Sequence, residues 1–459
     1  MDSITQFLNL EDSELYTSEI STNNLCKTIT ISTKIKDMFC PKCESRMYSK
    51  GIYKRKINHP VLQNGYRVNI ILNQRRWRCT NPNCLYTCND TFRFVNKSRR
   101  NTNASDMLII NAFRDLDASV ASIARRFNTT DTHVLDIFDR YVKLDRLPLS
   151  SIISLDEVYM NLDDHSKYSL VIQDFFTGNP IDILRSRRSD IFTPYFEAIP
   201  RAERENVTHV ITDMYSPYFN LTQTFFPNAQ TIVDSFHVIQ LINRDILEYI
   251  RKLQKKYRQK DREKAQLLSE LYHREVRIQA SDETYLLKNY KWLILKNQSS
   301  VEYRLETAMD PHFHMFMNTF DYERDLFRID PRLERLRELK EIYVRFNARY
   351  AGKPVEAQDE LESIIYRYLH CEDPIFNNFA NLLIRYRQQI INSFIMVEKY
   401  GPGGLYDSRL SNGPIESLNR KIKDLKRLGR GYRNFEHFRN RFLFATRDNP
   451  VLNGTNTDR

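Results

Sequence analysis

The chain has little glycine and no long apolar run. Only 11 of its 459 residues are glycine, which is about a third of the usual share in globular proteins. This scarcity disfavours a loop-rich all-β protein and predicts long helices. No apolar stretch approaches the roughly 18 residues that a membrane-spanning helix needs, so a membrane protein is not expected.

The amino terminus also lacks the features of a secretory signal peptide. It reads MDSITQFLNLEDSELYTSE, an acidic start without the basic and apolar regions that export requires. We therefore expect the protein to remain in the cytoplasm, with no membrane partner.

Positive charge is concentrated in two segments. The whole chain carries a net charge of +11, and residues 40–100 alone contain 14 lysines and arginines against two acidic residues. Residues 416–441 add nine basic residues against three acidic ones. Because the remainder is close to neutral or acidic, this distribution favours two basic surfaces that contact a polyanion such as DNA.

Five of the seven cysteines lie within one short segment. Cys40 and Cys43 form a Cys-x-x-Cys pair, 35 residues separate them from Cys79, and Cys84 follows after four more. In a chain expected to stay inside the cell, such pairs predict one structural Zn²⁺ in a closed tetrahedral site. Cys88 is the alternative to Cys84 as the fourth ligand.

The segment between the cysteine pairs ends in GYRVNIILNQRRWRC, where apolar and polar residues alternate. That alternation is typical of a β-hairpin. We expect its arginines, Arg75, Arg76 and Arg78, to line one exposed face and to contact DNA.

Residues 105–142 show two helical periods separated by a polar break. An apolar face runs from Val120 to Phe127, the sequence NTTD interrupts it, and the period resumes at Val134. This outline predicts a helix-turn-helix domain whose second helix offers its first residues to the major groove, although an ordinary helical hairpin has the same pattern. The basic cysteine module immediately before it favours DNA binding. The candidate contacts are Arg125, Arg126, Thr130, Thr132 and His133.

Residues 150–237 alternate apolar strands with short helices. The predicted order is three strands, helix, strand, helix, strand, which is the ribonuclease-H-like outline. Asp156 and Asp213 end the apolar runs SIISLD and VTHVITD, so we expect both carboxylates at one edge of a sheet. From about residue 236 to 399 the sequence is charged and helical in pattern, which predicts an all-helical insertion.

A third carboxylate opens a basic helix near the carboxyl terminus. Asn412, Gly413 and Pro414 are helix start signals, so Glu416 falls in the first turn, where the helix dipole favours a negative charge. Alone, either aspartate is more often a turn former or a helix N-cap, and a glutamate in a first helical turn is commonly there only because it suits the helix dipole. Together they suit two Mg²⁺ ions, or Mn²⁺, acting on a phosphate backbone. The same helix carries further candidate DNA contacts, namely Asn419, Arg420, Lys423, Lys426 and Arg427.

The blocks SLDEVYM, ITDMYSPY, FPNAQTIVDSFHV and SNGPIESLNRKIKDLKRLGRGYRNF, in this order, make the chain similar to the transposases of the ISL-three group of bacterial insertion sequences, in the DDE superfamily. The resemblance covers essentially the whole length. It implies Asp156, Asp213 and Glu416 as the catalytic triad, Asp234 and His237 as a supporting D-x-x-H element, and the first four of the clustered cysteines as zinc ligands.

The resemblance also implies an activity and its partners. We expect a DNA transposase that binds terminal inverted repeats and target double-stranded DNA, and that cleaves and joins strands with Mg²⁺. It would act as a homodimer on paired DNA ends and associate with the bacterial nucleoid. Two rival hypotheses are a non-catalytic DNA-binding regulator and a hydrolytic nuclease on the same fold. A regulator gives no reason for a glutamate at the head of a basic helix, and a nuclease differs only in not joining strands.

The predicted fold class is a multi-domain α+β protein. Its predicted segments are 1–36, an acidic amino-terminal segment; 37–100, a zinc module; 101–147, a helix-turn-helix domain; 148–238, the first part of a ribonuclease-H-like core; 239–400, a helical insertion; 401–450, the completion of the core with Glu416 and the basic helix; and 451–459, a tail.

Overall fold

The computed structural model combines helices and sheets, in agreement with the α+β prediction. The described residues are 13–23, 26–34, 36–63, 66–95, 99–127, 129–162, 166–401, 403–429 and 432–452. The first residues of the acidic start and most of the predicted tail lie outside these ranges. Within them, no helix is both long and apolar enough to cross a membrane.

The chain divides into two compact units. Unit 1 consists of Met1–Leu147, Val158–Ser169 and Asn419–Arg459, and unit 2 consists of Pro148–Glu157 and Leu170–Leu418. The candidate zinc ligands fall in unit 1, and all the candidate catalytic acids fall in unit 2.

A five-stranded sheet begins unit 1. Its strands are β1 (Tyr16–Asn23), β2 (Cys26–Thr33), β3 (Met47–Gln63), β4 (Tyr66–Cys79) and β5 (Thr87–Asn89). The order is β1-β2-β4-β3, with β5 also paired to β4, and β3 and β4 form the predicted antiparallel hairpin. Since β2 runs parallel to β4, the predicted boundary at residue 36 falls inside one sheet.

Three helices follow the sheet. They are α1 (Asn103–Ala112), α2 (Val120–Arg126) and α3 (Asp131–Tyr141). Each begins after a hydroxyl residue, Thr102, Ser119 or Thr130, whose side chain accepts a hydrogen bond from a backbone amide of the first turn. Such caps stabilise a helix start by about 1 kcal/mol. The polar sequence NTTD thus ends one helix and starts the next.

The sheet of unit 2 has the order β10-β9-β6-β7-β8. Its strands are β6 (Ile152–Tyr159), β7 (Tyr168–Asp174), β8 (Pro180–Leu184), β9 (His209–Thr212) and β10 (Gln230–Val233). The helices between β8 and β10 are α4 (Ser189–Glu197), α5 (Arg201–Glu205) and α6 (Ser216–Phe225). The predicted order of strands is observed with one additional short helix, α5. Asp156 lies inside β6 rather than at its end, because the pairing continues to Tyr159.

A helical region follows β10, beginning with α7 (Ser235–Tyr272), which has 38 residues. The other helices are α8 (Asp282–Asn289), α9 (Trp292–Leu295), α10 (Thr319–Ile329), α11 (Pro331–Arg349), α12 (Pro354–Leu369), α13 (Pro374–Arg385) and α14 (Arg387–Asn392). Their apolar faces share one core.

The predicted all-helical insertion is wrong at one place. Strands β11 (Ala308–Asp310) and β12 (Met315–Met317) form an antiparallel pair within it. Each strand has three residues, too few to show an alternating pattern. Buried Asp310 holds the pair in place, since its carboxylate accepts hydrogen bonds from the hydroxyls of Tyr285 and Tyr322 at 2.9 and 2.8 Å.

The chain ends with a hairpin and two helices. These are β13 (Met396–Gly401), β14 (Gly404–Arg409), α15 (Gly413–Leu428) and α16 (Phe435–Thr446). Helix α16 packs in unit 1 against the segment that carries α1. There the guanidinium of Arg441, 1% exposed, donates hydrogen bonds to the carbonyls of Phe113, Asp115 and Ala118. The carboxyl-terminal helix therefore closes the core of the three-helix segment.

Candidate active site and metal centres

Four cysteines of unit 1 converge on one point. The sulfur atoms of Cys40, Cys43, Cys79 and Cys84 all lie within 4.8 Å of one another. Cys40 Sγ is 3.6 Å from Cys84 Sγ, and Cys43 Sγ is 3.5 Å from Cys79 Sγ. These separations are far longer than a disulfide and close to the ~3.8 Å between thiolates around a tetrahedral zinc with bonds of about 2.3 Å. The donor set therefore fits Zn²⁺.

Two turns of similar design present the sulfurs. The residue after the second cysteine of each pair, Glu44 and Leu85, has a left-handed backbone with φ of 58° and 50°. Hydrogen bonds from the side chain and backbone of Ser45 lower the pKa of Cys43 to about 6. A lowered pKa favours the thiolate, which is the form that binds a metal.

Cys88 is not part of this group. It lies in β5 opposite Trp77, where it packs against the same small apolar cluster. Among the described residues, the geometry thus groups Cys84, and not Cys88, with the other three.

The arginines of the hairpin do not share one face. Arg76 and Arg78 flank buried Trp77 in β4, and successive side chains of a strand point to opposite faces. Arg75 consequently lies on the face of Trp77, and the expectation of a single arginine face is wrong for this residue.

Four of the candidate DNA contacts near α3 are exposed, and the fifth is packed against another side chain. Arg125, Arg126, Thr130 and Thr132 are exposed. The ring of His133 is half-buried against the side-chain amide of Asn101, and burial lowers the pKa of its imidazole. His133 therefore has a packing role that the sequence pattern did not indicate.

Helix α15 carries Glu416 in its first turn, as predicted. Arg420, Lys423 and Arg427 are exposed, and Lys426 is half-buried over the ring of Tyr159. Asn419 is 5% exposed, since it lies beside the apolar face of the helix. The prediction that Asn419 belongs to the exposed basic face is wrong.

Three acids of unit 2 lie at matching positions in or directly after three adjacent parallel strands, Asp156 within β6, Asp213 after β9 and Asp234 after β10. Ser154 pairs with Ile211 between β6 and β9, and Thr212 pairs with Val233 between β9 and β10. Continued by one or two residues, this register sets Asp213 beside Asp156 on one side and beside Asp234 on the other. Neighbouring strands lie about 4.8 Å apart, so the three acids form a row across the sheet.

A second group adjoins this row. Oxygen or nitrogen atoms of Asp234, His237 and Glu416 all lie within 4.8 Å of one another, and Nε2 of His237 is 3.8 Å from Oε1 of Glu416. Asp234 immediately precedes α7, and His237 lies in its first turn. Asp156 and Asp213 are not members of this group. The structure therefore groups Glu416 with the pair that the resemblance gave only a supporting role.

The charges of the row and of His237 influence one another. Burial raises the pKa of Asp156 to about 7, with a further increase from Asp213 and a decrease from His237. Burial also raises the pKa of Asp213 and of Asp234, and His237 lowers both. His237 is thus the common neighbour of all three acids. Closely spaced buried carboxylates of this kind are typical of cation sites.

Sequence reasoning missed a pair beside the row. The guanidinium of Arg187 contacts the carboxylate of Glu157 and stacks on the ring of Tyr215 at 4.7 Å. The hydroxyl of Tyr218 donates to the same carboxylate at 3.5 Å. The signal was present, because Glu157 follows Asp156 and both tyrosines follow Asp213, but the arginine comes from a separate loop.

Comparisons with known proteins identify the family of the chain. A family model described as transposase, that of the DDE transposases of the ISL-three (ISL3) group, matches residues 153–442. The chain is also similar to the transposase for insertion sequence element IS1001 of Bordetella parapertussis, with 21% identity over 425 residues that cover 90% of each chain. The range of the family match contains every acid of the row, His237 and Glu416. The chain belongs to the ISL-three family of DDE transposases.

Proposed function

We propose that this chain binds the terminal inverted repeats of an insertion sequence and catalyses metal-dependent cleavage and strand transfer. The observation that carries the proposal is the row of Asp156, Asp213 and Asp234, with Glu416 and His237 beside it. Asp156, Asp213 and Glu416 take the role of the catalytic triad. The sheet of unit 2, with helices between its later strands, is assigned to the ribonuclease-H-like fold.

The acids suit Mg²⁺ or Mn²⁺, which prefer oxygen ligands. Among the described residues, the buried Oδ1 of Asp213 and Nε2 of His237 lack a hydrogen-bond partner. A buried polar atom without a hydrogen bond lowers the free energy of unfolding by about 1–3 kcal/mol. A cation held by the carboxylates offsets that loss of stability. When bound, such ions neutralise charge on phosphate oxygens and lower the pKa of an attacking hydroxyl.

The residues around the acids position them. His237 lies within 4.8 Å of both Asp234 and Glu416, so its ring fixes the direction of the Glu416 carboxylate. The Arg187–Glu157 pair anchors β6 next to Asp156. Asn412 is fully buried, and both polar atoms of its side-chain amide lack partners in the described structure. We assign Asn412 to the support of the turn that brings Glu416 to the site.

Unit 1 supplies the DNA contacts in this proposal. The four cysteines hold one structural Zn²⁺, and α2 and α3 act as a helix-turn-helix with Thr130 and Thr132 at the start of the recognition helix. Exposed arginines of the hairpin and of α15 contact phosphates, so affinity falls steeply with salt. Two copies of the chain hold the paired ends during strand transfer.

The direct test is Asp213→Asn, which keeps the shape of the side chain and removes its charge. We expect cleavage and strand transfer in Mg²⁺ or Mn²⁺ to fall by at least about 100-fold, the scale of losing one group that stabilises transition-state charge. Binding to a terminal-repeat duplex should stay within about twofold of the wild type, because Asp213 contributes no base or phosphate contact.

A matched control is Asp174→Asn, at a turn carboxylate that accepts a hydrogen bond from the amide of Phe176 at 2.9 Å. This variant should retain activity. Strand transfer that survives Asp213→Asn contradicts the proposal. A wild-type protein that binds repeats without cutting them would be a regulator, and one that cuts without joining would be a nuclease.

A further inference from the structure

Helix α7 carries a strongly basic surface that the candidate site does not use. Residues 251–264 contain eight lysines and arginines against two acidic residues. All eight basic side chains are exposed, whereas the buried face of α7 ends at Leu253. The second half of the helix therefore presents charge to solvent where the first half presents apolar side chains to a core.

Five basic residues align with His237 along the helix. With 3.6 residues per turn, they all lie within about 60° of the direction of the His237 side chain. They are defined here as the α7 stripe: Arg244, Arg251, Lys255, Arg258 and Arg262. At 1.5 Å per residue, the stripe extends from about 10 to about 38 Å beyond His237 along the axis. A line of positive charge thus leads away from the candidate active site on one continuous helix.

The acidic residues of the same segment are engaged elsewhere. Oδ2 of Asp261 accepts a hydrogen bond from the hydroxyl of Thr284 at 2.7 Å and one from the amide of Ser281 at 3.3 Å. Oε1 of Glu263 accepts a hydrogen bond from Gln259 at 3.0 Å.

In the part of the chain that the structure describes, the four outer members of the stripe form no ion pair. Nearer the site, Arg244 pairs with Asp245 at 3.1 Å, and Glu248, which lies on the same face of the helix, pairs with Lys252 at 3.4 Å. The four outer members therefore keep their charge for a partner.

A different face of α7 from the stripe is held in place by α8. Besides the contacts of Asp261, the side chain of Gln254 donates to the carbonyl of Leu287 at 2.6 Å, so α8 holds α7 at two points. A fixed helix loses little conformational freedom when it binds. Runs of exposed charge are commonly only solvated, but this one is fixed in place and aligned with the candidate catalytic residues.

We propose that the α7 stripe binds the phosphate backbone of the duplex that extends from the cleaved position. This inference rests on the proposed function, which sets the reacting phosphate beside His237. With about 3.4 Å between phosphates of one strand along the axis, the stripe reaches from about 3 to about 11 base pairs from that phosphate. Because phosphates carry no sequence information, the contact adds affinity and orientation without base preference.

The test compares Arg251→Gln/Lys255→Gln/Arg258→Gln/Arg262→Gln with the unsubstituted stripe, both in the Asp213→Asn background. Glutamine keeps the helix propensity, which circular dichroism checks. The probes are duplexes in which the flank on each side of the cleavage position grows from about 3 to about 15 base pairs. With the stripe intact, affinity should rise as one flank lengthens to about 11 base pairs. With the stripe neutralised, that rise in affinity should be lost. The negative slope of log K against log salt should become less steep by about 3.6.

A control with the same change in net charge is Arg201→Gln/Arg277→Gln/Arg304→Gln/Arg385→Gln, at scattered exposed positions of unit 2. It should retain the length dependence. An unchanged length dependence in the stripe variant, or an equal loss in the control, would overturn the inference. Since the background is inactive by design, these outcomes are distinct from failure of the proposed function, which is strand transfer that survives Asp213→Asn.

Discussion

The cysteine cluster and the carboxylate cluster assemble metal ligands in opposite ways. The four cysteines come from two short turns at the ends of one hairpin, and their separations follow from local geometry. The acids come from three strands or the residues directly after them, and from a helix that is distant in sequence. Their proximity follows from the register of the sheet and from the position of α15, which brings Glu416 back to the sheet. One site belongs to a local motif, whereas the other belongs to the whole of unit 2.

This difference has consequences for metal chemistry. A closed set of four thiolates binds zinc tightly, and the binding energy contributes to folding. An open set of carboxylates on a preformed sheet binds a hard cation weakly and exchanges it. The row of acids is held by the sheet whether or not a cation is present, so we expect loss of metal to unfold the cysteine module and to leave unit 2 folded.

The largest effect should come from Cys40→Ser/Cys43→Ser. Structural zinc contributes on the order of 10 kcal/mol to such modules, so the variant should lose about one zinc per chain and the protease resistance of the first sheet. Metal analysis and limited proteolysis measure both. Cys88→Ser is the matched control and should keep its zinc. Zinc retained by the double variant would contradict the four-cysteine site, and zinc lost from the control would remove the distinction between Cys84 and Cys88.

A smaller effect is expected for Asp234→Asn. The residue is 2% exposed and lies within 4.8 Å of His237 and Glu416, so it positions these groups. Loss of such a partner costs about 10–100-fold in metal affinity or activity, less than the loss expected for Asp213→Asn. Mn²⁺ titration and strand-transfer rates test it. A loss of strand-transfer activity as large as that of Asp213→Asn would indicate that Asp234 binds the metal directly and belongs to the catalytic set.

The same contrast explains what the sequence could predict. Cysteine pairs with short spacings predict a metal site directly, and the apolar runs that end near Asp156 and Asp213 predicted the strands that contain or precede these residues. The sequence also predicted that Asp156 and Asp213 lie at one edge of a sheet. The place of Asp234 beside them could not be predicted, because the register between β9 and β10 depends on which strands become neighbours. The close approach of Glu416 to Asp234 and His237 depends on the path of the chain through the helical region.

Local burial accounts for the remaining differences. Asn419 and His133 were expected at a DNA surface because their spacing and residue type suit it, yet packing turns one inward and engages the other with Asn101. Arg441 was counted only as part of a basic segment. Its guanidinium instead satisfies three carbonyls near the end of α1, a role that depends on the docking of α16.

The smallest predicted effect is a pH dependence that only the carboxylate cluster should show. The pKa of Asp156 is raised from 3.8 to about 7, so the acid keeps its proton below neutral pH. In metal-free protein, the stability that this proton contributes is lost as pH rises through about 7.

A cation must displace the same proton, so Mn²⁺ affinity should rise by about tenfold per pH unit up to about pH 7 and then level off. Calorimetric titration from about pH 5.5 to about pH 8.5 measures the profile. Zinc content should stay constant over that range, and a flat Mn²⁺ profile would mean that Asp156 is ionised throughout and is not the acid that limits cation binding.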